Sequence, residues 1–167
     1  MATTGINRKA DAQGPAEGQN DVMRVCNLLG ESKVIKRPVR TSLEAHDLIA
    51  DGLPLQALLF LIDGVQVLTT GDALHKAVGL SHRKLMRRKP GAQRKTLSME
   101  LGSRIWRFAD ILSKASDVLG DQKLAKAWLL EPAFGLDRRR PIDLLGTAAG
   151  TKAIEDHIAR MDYGVYS

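Results

Sequence analysis

The side chains best suited to meeting a polyanion lie near the middle of this sequence. Residues 82–107 hold nine cations (Arg83, Lys84, Arg87, Arg88, Lys89, Arg94, Lys95, Arg104 and Arg107) and one anion, Glu100, a local charge of +8. The other residues carry 16 cations and 18 anions, so the +6 of the whole chain belongs to one segment. Cations gathered in this way are the electrostatic footprint of nucleic-acid contact. The residues around them have helix-turn-helix grammar. Ala77 is small, Gly79 permits a tight turn, Leu80 faces inward and Ser81 can cap a second helix. In that helix Leu85 points to a core while His82, Arg83, Lys84, Arg87 and Arg88 point out. Such side chains reach base edges, where arginine pairs with guanine, and Lys89, Arg94 and Lys95 follow as phosphate contacts.

A second group with binding character closes the sequence. After Met161 the chain reads Asp162-Tyr163-Gly164-Val165-Tyr166-Ser167, which places both tyrosines within six residues. Tyrosine offers a large amphipathic area with few rotors to immobilise and is enriched at binding hot spots. Two arrangements are open: contact with a partner, or tyrosines folded back onto Ile154 and Ile158.

Catalytic chemistry finds no support. His46, His75, His82 and His157 are scattered without HExxH or paired metal spacing, and no GxSxG or GxxxxGK[ST] occurs. Cys26 has no base beside it, and Glu155 and Asp156 read as solvated positions, Asp156 being four residues from Arg160. The expectation is a protein that is no enzyme, with no catalytic residue, metal or cofactor. A lone cysteine excludes a disulfide within the chain, while 44% hydrophobic residues suffice for a core. The longest apolar run is 57–62, far short of the ~20 residues that span a bilayer. The first residues lack the apolar core of a signal peptide, so no membrane and a cytoplasmic location are expected.

The elements that must position these groups read as helices throughout. Residues 1–40, rich in Gly, Ala, Gln and Asn, read as a flexible or loosely docked arm with one short helix near 22–29. Thr41-Ser42-Leu43-Glu44 is a capping box opening a helix to about 51, and Pro54 opens the next, to about 62. Asp72 caps a short helix through Val78. Leu101, Ile105, Phe108, Leu112, Ala115 and Leu119 recur at spacings of 4, 3, 4, 3 and 4, a seam for the chain's own core or for a dimer. Ser98 caps that helix and Gly120 stops it. A short helix at 121–130 puts Leu124 and Trp128 on one face, Pro141 opens a turn, and Thr147 caps a last helix carrying Ile154, Ile158 and Met161.

Three further strings together carry a family resemblance. Ala127-Trp128-Leu129-Leu130-Glu131-Pro132, then Pro141-Ile142-Asp143-Leu144-Leu145-Gly146-Thr147 with Gly150, and finally Met161-Asp162-Tyr163-Gly164-Val165 resemble the toxin-binding domain of Xre/MbcA/ParS antitoxins. Leu80 to Lys89, with Leu97-Ser98 and 104–108, resembles the Xre-like helix-turn-helix half of the same proteins. The likeness spans roughly 41–167. Lys84 stands where a Thr is expected, so base preference does not transfer. The resemblance implies an all-α fold with an Xre-like helix-turn-helix domain for DNA binding and dimerisation at 41–120. A small helical toxin-binding domain with an extended tail follows at 121–167. It implies a type II antitoxin that forms a homodimer and a hetero-oligomer with a RES-domain toxin, an NAD-consuming relative of ADP-ribosyltransferases. The antitoxin's C-terminus would reach the toxin's NAD pocket, where Asp162 and the terminal carboxylate can address arginines that otherwise hold phosphates. Toxin contact is then expected at Trp128, Arg160, Met161, Asp162, Tyr163, Gly164, Val165, Tyr166 and Ser167, and operator DNA at Ser81, His82, Arg83, Lys84, Arg87, Arg88, Lys89, Arg94 and Lys95. The alternative is a stand-alone transcriptional regulator whose C-terminal domain dimerises or senses a ligand.

Overall fold

A computed structural model describes residues 15–164 of the chain. Among them every regular element is helical, and pairing of extended backbone is confined to the isolated bridges Pro54–Thr96 and Ala133–Arg139. The first helices are α1 (Pro15–Leu28), α2 (Glu31–Val34), α3 (Ser42–Gly52), α4 (Leu55–Gly64), α5 (Ala73–Val78) and α6 (His82–Arg88). There follow α7 (Met99–Leu119), α8 (Gln122–Leu130), α9 (Pro141–Leu144) and α10 (Ala148–Asp162), with 3-10 turns at Gln66–Thr69, Ala92–Arg94 and Phe134–Leu136.

The long helix α7 is the axis of the molecule. Its Ile105, Phe108, Ala109, Ile111, Leu112 and Ala115 are fully buried, and α1, α3, α5, α8 and α10 all pack on it. Gly102 admits α3 at close range: a Cβ there would lie 3.4 Å from Ile49 Cγ2 and 3.5 Å from Leu53 Cβ. Each large aliphatic or aromatic side chain buried along this axis contributes about 1.5–3 kcal/mol. Ile105, Phe108 and Leu112 therefore spend the seam on the chain's own core, and Leu101 packs at its edge.

The caps follow the sequence closely. Thr41 and Glu44 form both halves of a capping box, and the backbone N–H groups of Arg40 and Thr41 hold the Glu44 carboxyl below its usual range. Ser98 and Thr147 accept from Leu101 N and Gly150 N. Asp72 is different. It occupies the N-cap position of α5 with no side-chain cap bond, and its carboxylate lies 3.9 Å from Arg140 instead.

The expectation for the N-terminal arm needs correction. The arm is structured from Pro15 onward: Val22, Val25, Cys26 and Leu29 form a buried stripe, Ile35 and Val39 continue it, and Arg24 pairs with Asp117 on α7. A stripe at i, i+3, i+4 and i+7 has the helical period, and the entropy of ordering α1 is offset by the apolar area it buries. On α8 the inward residues are Ala125 and Leu129, while Leu124 is exposed and Trp128 half-buried. Leu124 and Trp128 share a face four residues apart, as expected, and the neighbouring face of Ala125 and Leu129 is the one turned to the core. One buried cluster runs from Val22 to Ile158.

Candidate functional site

The cationic hairpin is built on three anchors. Gly79 ends α5 at φ 76° with its N–H on His75 O at 2.8 Å, a left-handed cap that suits glycine. The guanidinium of Arg104, on α7, occupies the space a Cβ on Gly79 would fill. Leu80 and Leu85 are buried, which fixes how α6 rolls on the core, and the Ser81 hydroxyl accepts from Lys84 N at 3.4 Å. Downstream, Leu55 N donates to Lys95 O and Leu97 N to Leu53 O, pinning residues 95–97 to the start of α4.

This leaves His82, Arg83, Lys84, Arg87, Arg88, Lys89 and Arg94 exposed. None of the six Arg and Lys residues pairs with a carboxylate among the described residues. Arg83 with Arg87, and Lys84 with Arg88, are like-charged neighbours at i, i+4, each pair costing the helix about 0.2–0.5 kcal/mol. An uncompensated cationic face of this kind suits a polyanion. Lys95 stands apart from the rest. Its ammonium donates to the carbonyls of Arg88 at 3.1 Å and Pro90 at 2.7 Å, so it closes the C-terminal end of α6.

The second group is carried by α8, α10 and the loop between α8 and α9. Trp128 stacks on His157 with ring centroids 6.0 Å apart and planes 14° apart. His157 is buried, and that burial, helped by the charge of Arg160, lowers its pKa below the ordinary 6.5. Gly150 lies where any Cβ would press on the Leu144 carbonyl, so the first turn of α10 sits hard against α9. The helix ends with Tyr163 N on Ala159 O at 3.1 Å and Gly164 N on Met161 O at 3.1 Å. Met161 is half-buried, and Arg160, Asp162, Tyr163 and Gly164 are exposed. Tyr163 is 79% exposed, so it does not fold back on Ile154 and Ile158, which other residues cover. Val165, Tyr166 and Ser167 lie outside the described residues.

The hairpin and the C-terminal group meet at a cluster of charged side chains. Arg140 donates through Nε and Nη2 to Asp143, both at 2.8 Å, and Lys76 of α5 lies 3.9 Å from the same carboxylate. The Arg140 hydrogen bonds hold the Asp143 carboxyl below its usual range.

Among the described residues no three His, Cys, Asp or Glu side chains are grouped to hold a metal, and no helix is long and apolar enough to cross a membrane. Burial pushes the Cys26 thiol up to about 11, which keeps it a poor nucleophile. One pair of surface residues escapes a reading of the sequence. Phe134 is 82% exposed, and the Arg138 guanidinium lies over its ring, 5.1 Å from the centroid. The run Asp137-Arg138-Arg139-Arg140 after Pro132 was the available signal.

Comparison with known proteins matches residues 114–164 to the antitoxin Xre/MbcA/ParS C-terminal toxin-binding domain. The chain is similar to an antitoxin Xre of Yersinia enterocolitica, 31% identical over 131 residues, covering 70% of this chain and 87% of the relative. An antitoxin Xre of Photorhabdus laumondii is 30% identical over 124 residues, covering 72% of this chain and 79% of the relative.

Proposed function

The chain belongs to the Xre antitoxin family and is an antitoxin of a toxin–antitoxin system, and from that premise we propose how its two surfaces divide the work. The C-terminal half, at 121–167, neutralises a RES-domain, NAD-consuming toxin by direct binding, presenting Trp128 and residues 160–167 to the toxin's active site. The half at 41–120 represses the chain's own operon, with α6 in the major groove. The protein acts in the cytoplasm as a homodimer that assembles with its toxin into a hetero-oligomer, and it is a regulator rather than an enzyme.

The observation that carries the toxin half is the end of α10: Asp162 and Tyr163 are delivered to solvent on a helix whose other side is anchored by Ile154 and Ile158. An aromatic so exposed is the kind of residue that gains most from a partner. The uncompensated cations of α6 support the operator half. Co-expression with the adjacent reading frame, followed by complex mass and cellular NAD, tests both the partner and its chemistry. A stable complex with NAD preserved is expected. A neighbour that leaves NAD untouched when expressed alone contradicts the RES assignment.

A further inference from the structure

The loop between α8 and α9 presents its aromatic residue outward. Phe134 opens a 3-10 turn and is more exposed than any other large hydrophobic side chain among the described residues. The loop beneath it is closely tied: Ala133 N donates to Arg139 O at 3.1 Å, Arg138 N to Ala133 O at 3.0 Å and Arg139 N to Leu136 O at 3.0 Å. Asp137 and Arg138 stand consecutively in the left-handed region, at φ 53° and 58°. Residues with a Cβ adopt that conformation only when their surroundings enforce it, and such outliers concentrate at binding sites. Here the enforced turn brings the Arg138 guanidinium back over the Phe134 ring. Arginine and aromatic residues are the two side-chain types most enriched at binding hot spots, and stacking fixes both before any partner arrives.

The charge around the pair specifies what would cover it. Neither Arg138 nor Arg139 forms an ion pair among the described residues, whereas Arg140 is occupied by Asp143. The same loop forms one wall of a groove of about 490 Å³ whose other wall is α10, from Thr147 to Arg160. The groove thus joins the base of the loop, at Gly135, Leu136, Asp137 and Arg139, to α10 as far as Arg160, three residues before Tyr163. Resting on the toxin-binding reading above, we infer that Phe134 and Arg138 form a second anchor for the toxin. They fit an apolar socket on it that is rimmed by carboxylates, with Arg139 at its edge.

The test measures affinity of the full-length chain for the toxin encoded beside it by calorimetry, at fixed salt, for wild type, Phe134→Ala, Arg138→Lys and Arg138→Glu. Melting curves confirm that each variant folds, as expected for exposed positions. Phe134→Ala is expected to weaken binding about tenfold or more, Arg138→Glu at least as much, and Arg138→Lys less than either. Unchanged affinity in Phe134→Ala overturns the second anchor while leaving tail-mediated binding intact. Absence of any wild-type binding overturns both this inference and the function it rests on. Lost self-association of the antitoxin, with toxin affinity kept, assigns the loop to a second copy of the chain and also overturns it.

Discussion

Lys76, on the first helix of the hairpin, holds its ammonium 3.9 Å from the carboxylate of Asp143 on α9. Asp143 is itself fixed by both donors of Arg140, which also lies 3.9 Å from Asp72 at the start of α5. Two arginine and lysine side chains thus meet two carboxylates where the cationic hairpin touches the C-terminal half. Surface pairs of this kind contribute little singly, but a bidentate and shared arrangement gains geometric definition.

A pH dependence follows for Asp143. Its folded pKa lies below the ordinary 3.8, so the unfolded chain binds more protons as acid is added. The stabilisation is therefore complete above 3.8 and is lost as pH falls through the folded value. Melting temperatures of wild type and Asp143→Asn are expected to differ most near neutrality and to converge in strong acid. A constant difference across that range contradicts the ion pair.

His157 gives a second and separate dependence. Burial lowers its pKa below 6.5, so the neutral ring is the folded form. Stability is full above 6.5 and falls as the pH drops toward the folded value, because charging the ring demands its exposure. Replacing His157 by Gln is expected to flatten the melting-temperature profile below pH 6.5, at the cost of the stack on Trp128.

Two glycines make a graded pair. Alanine at Gly79 must adopt φ 76° and displace the Arg104 side chain, a flexible neighbour, so a loss of about 1 kcal/mol is expected. Alanine at Gly150 meets backbone, with the Leu144 carbonyl carbon 2.9 Å from its Cβ, and a loss of about 1–3 kcal/mol is expected. Denaturant titration orders the two, and a milder effect at Gly150 contradicts the close packing of α10 on α9.

Much of the frame was legible. The seam of α7 reads directly because large residues recur at helical spacing, and Thr41, Ser98, Thr147, Gly79 and Gly120 mark ends where the backbone needs a side-chain acceptor or a left-handed turn. The short helix near 22–29 is legible from Val22, Val25, Cys26 and Leu29, but its extension back to Pro15 and its docking on the core are not, because Gly18, Gln19 and Asn20 give that stretch no apolar stripe. The shared face of Leu124 and Trp128 on α8 is legible from their spacing, but which face turns to the core is not, because Ala125 carries little hydrophobic signal beside Leu124. Phe134 was illegible for a different reason. An aromatic in a loop is ordinarily covered, and only the fold leaves this one in solvent.

Operator binding should separate by residue. Arg83→Ala and Arg87→Ala alter exposed cations with no ion-pair partner among the described residues, so stability is expected to stay within about 0.5 kcal/mol of wild type. Affinity for the operator should fall. Each phosphate contact removed should flatten the slope of log affinity against log salt by about 1, whereas a base contact should relax sequence preference. Lys95→Ala should act differently, loosening the end of α6 rather than changing that slope by a full contact.

The central claim, that the C-terminal end of α10 reaches the toxin, is tested most directly by deleting residues 163–167 in cells that express the toxin. Growth and cellular NAD are measured beside operator binding of the purified antitoxin. Lost protection and depleted NAD, with operator affinity unchanged, are the predicted outcome; full protection by the truncated chain would contradict the claim.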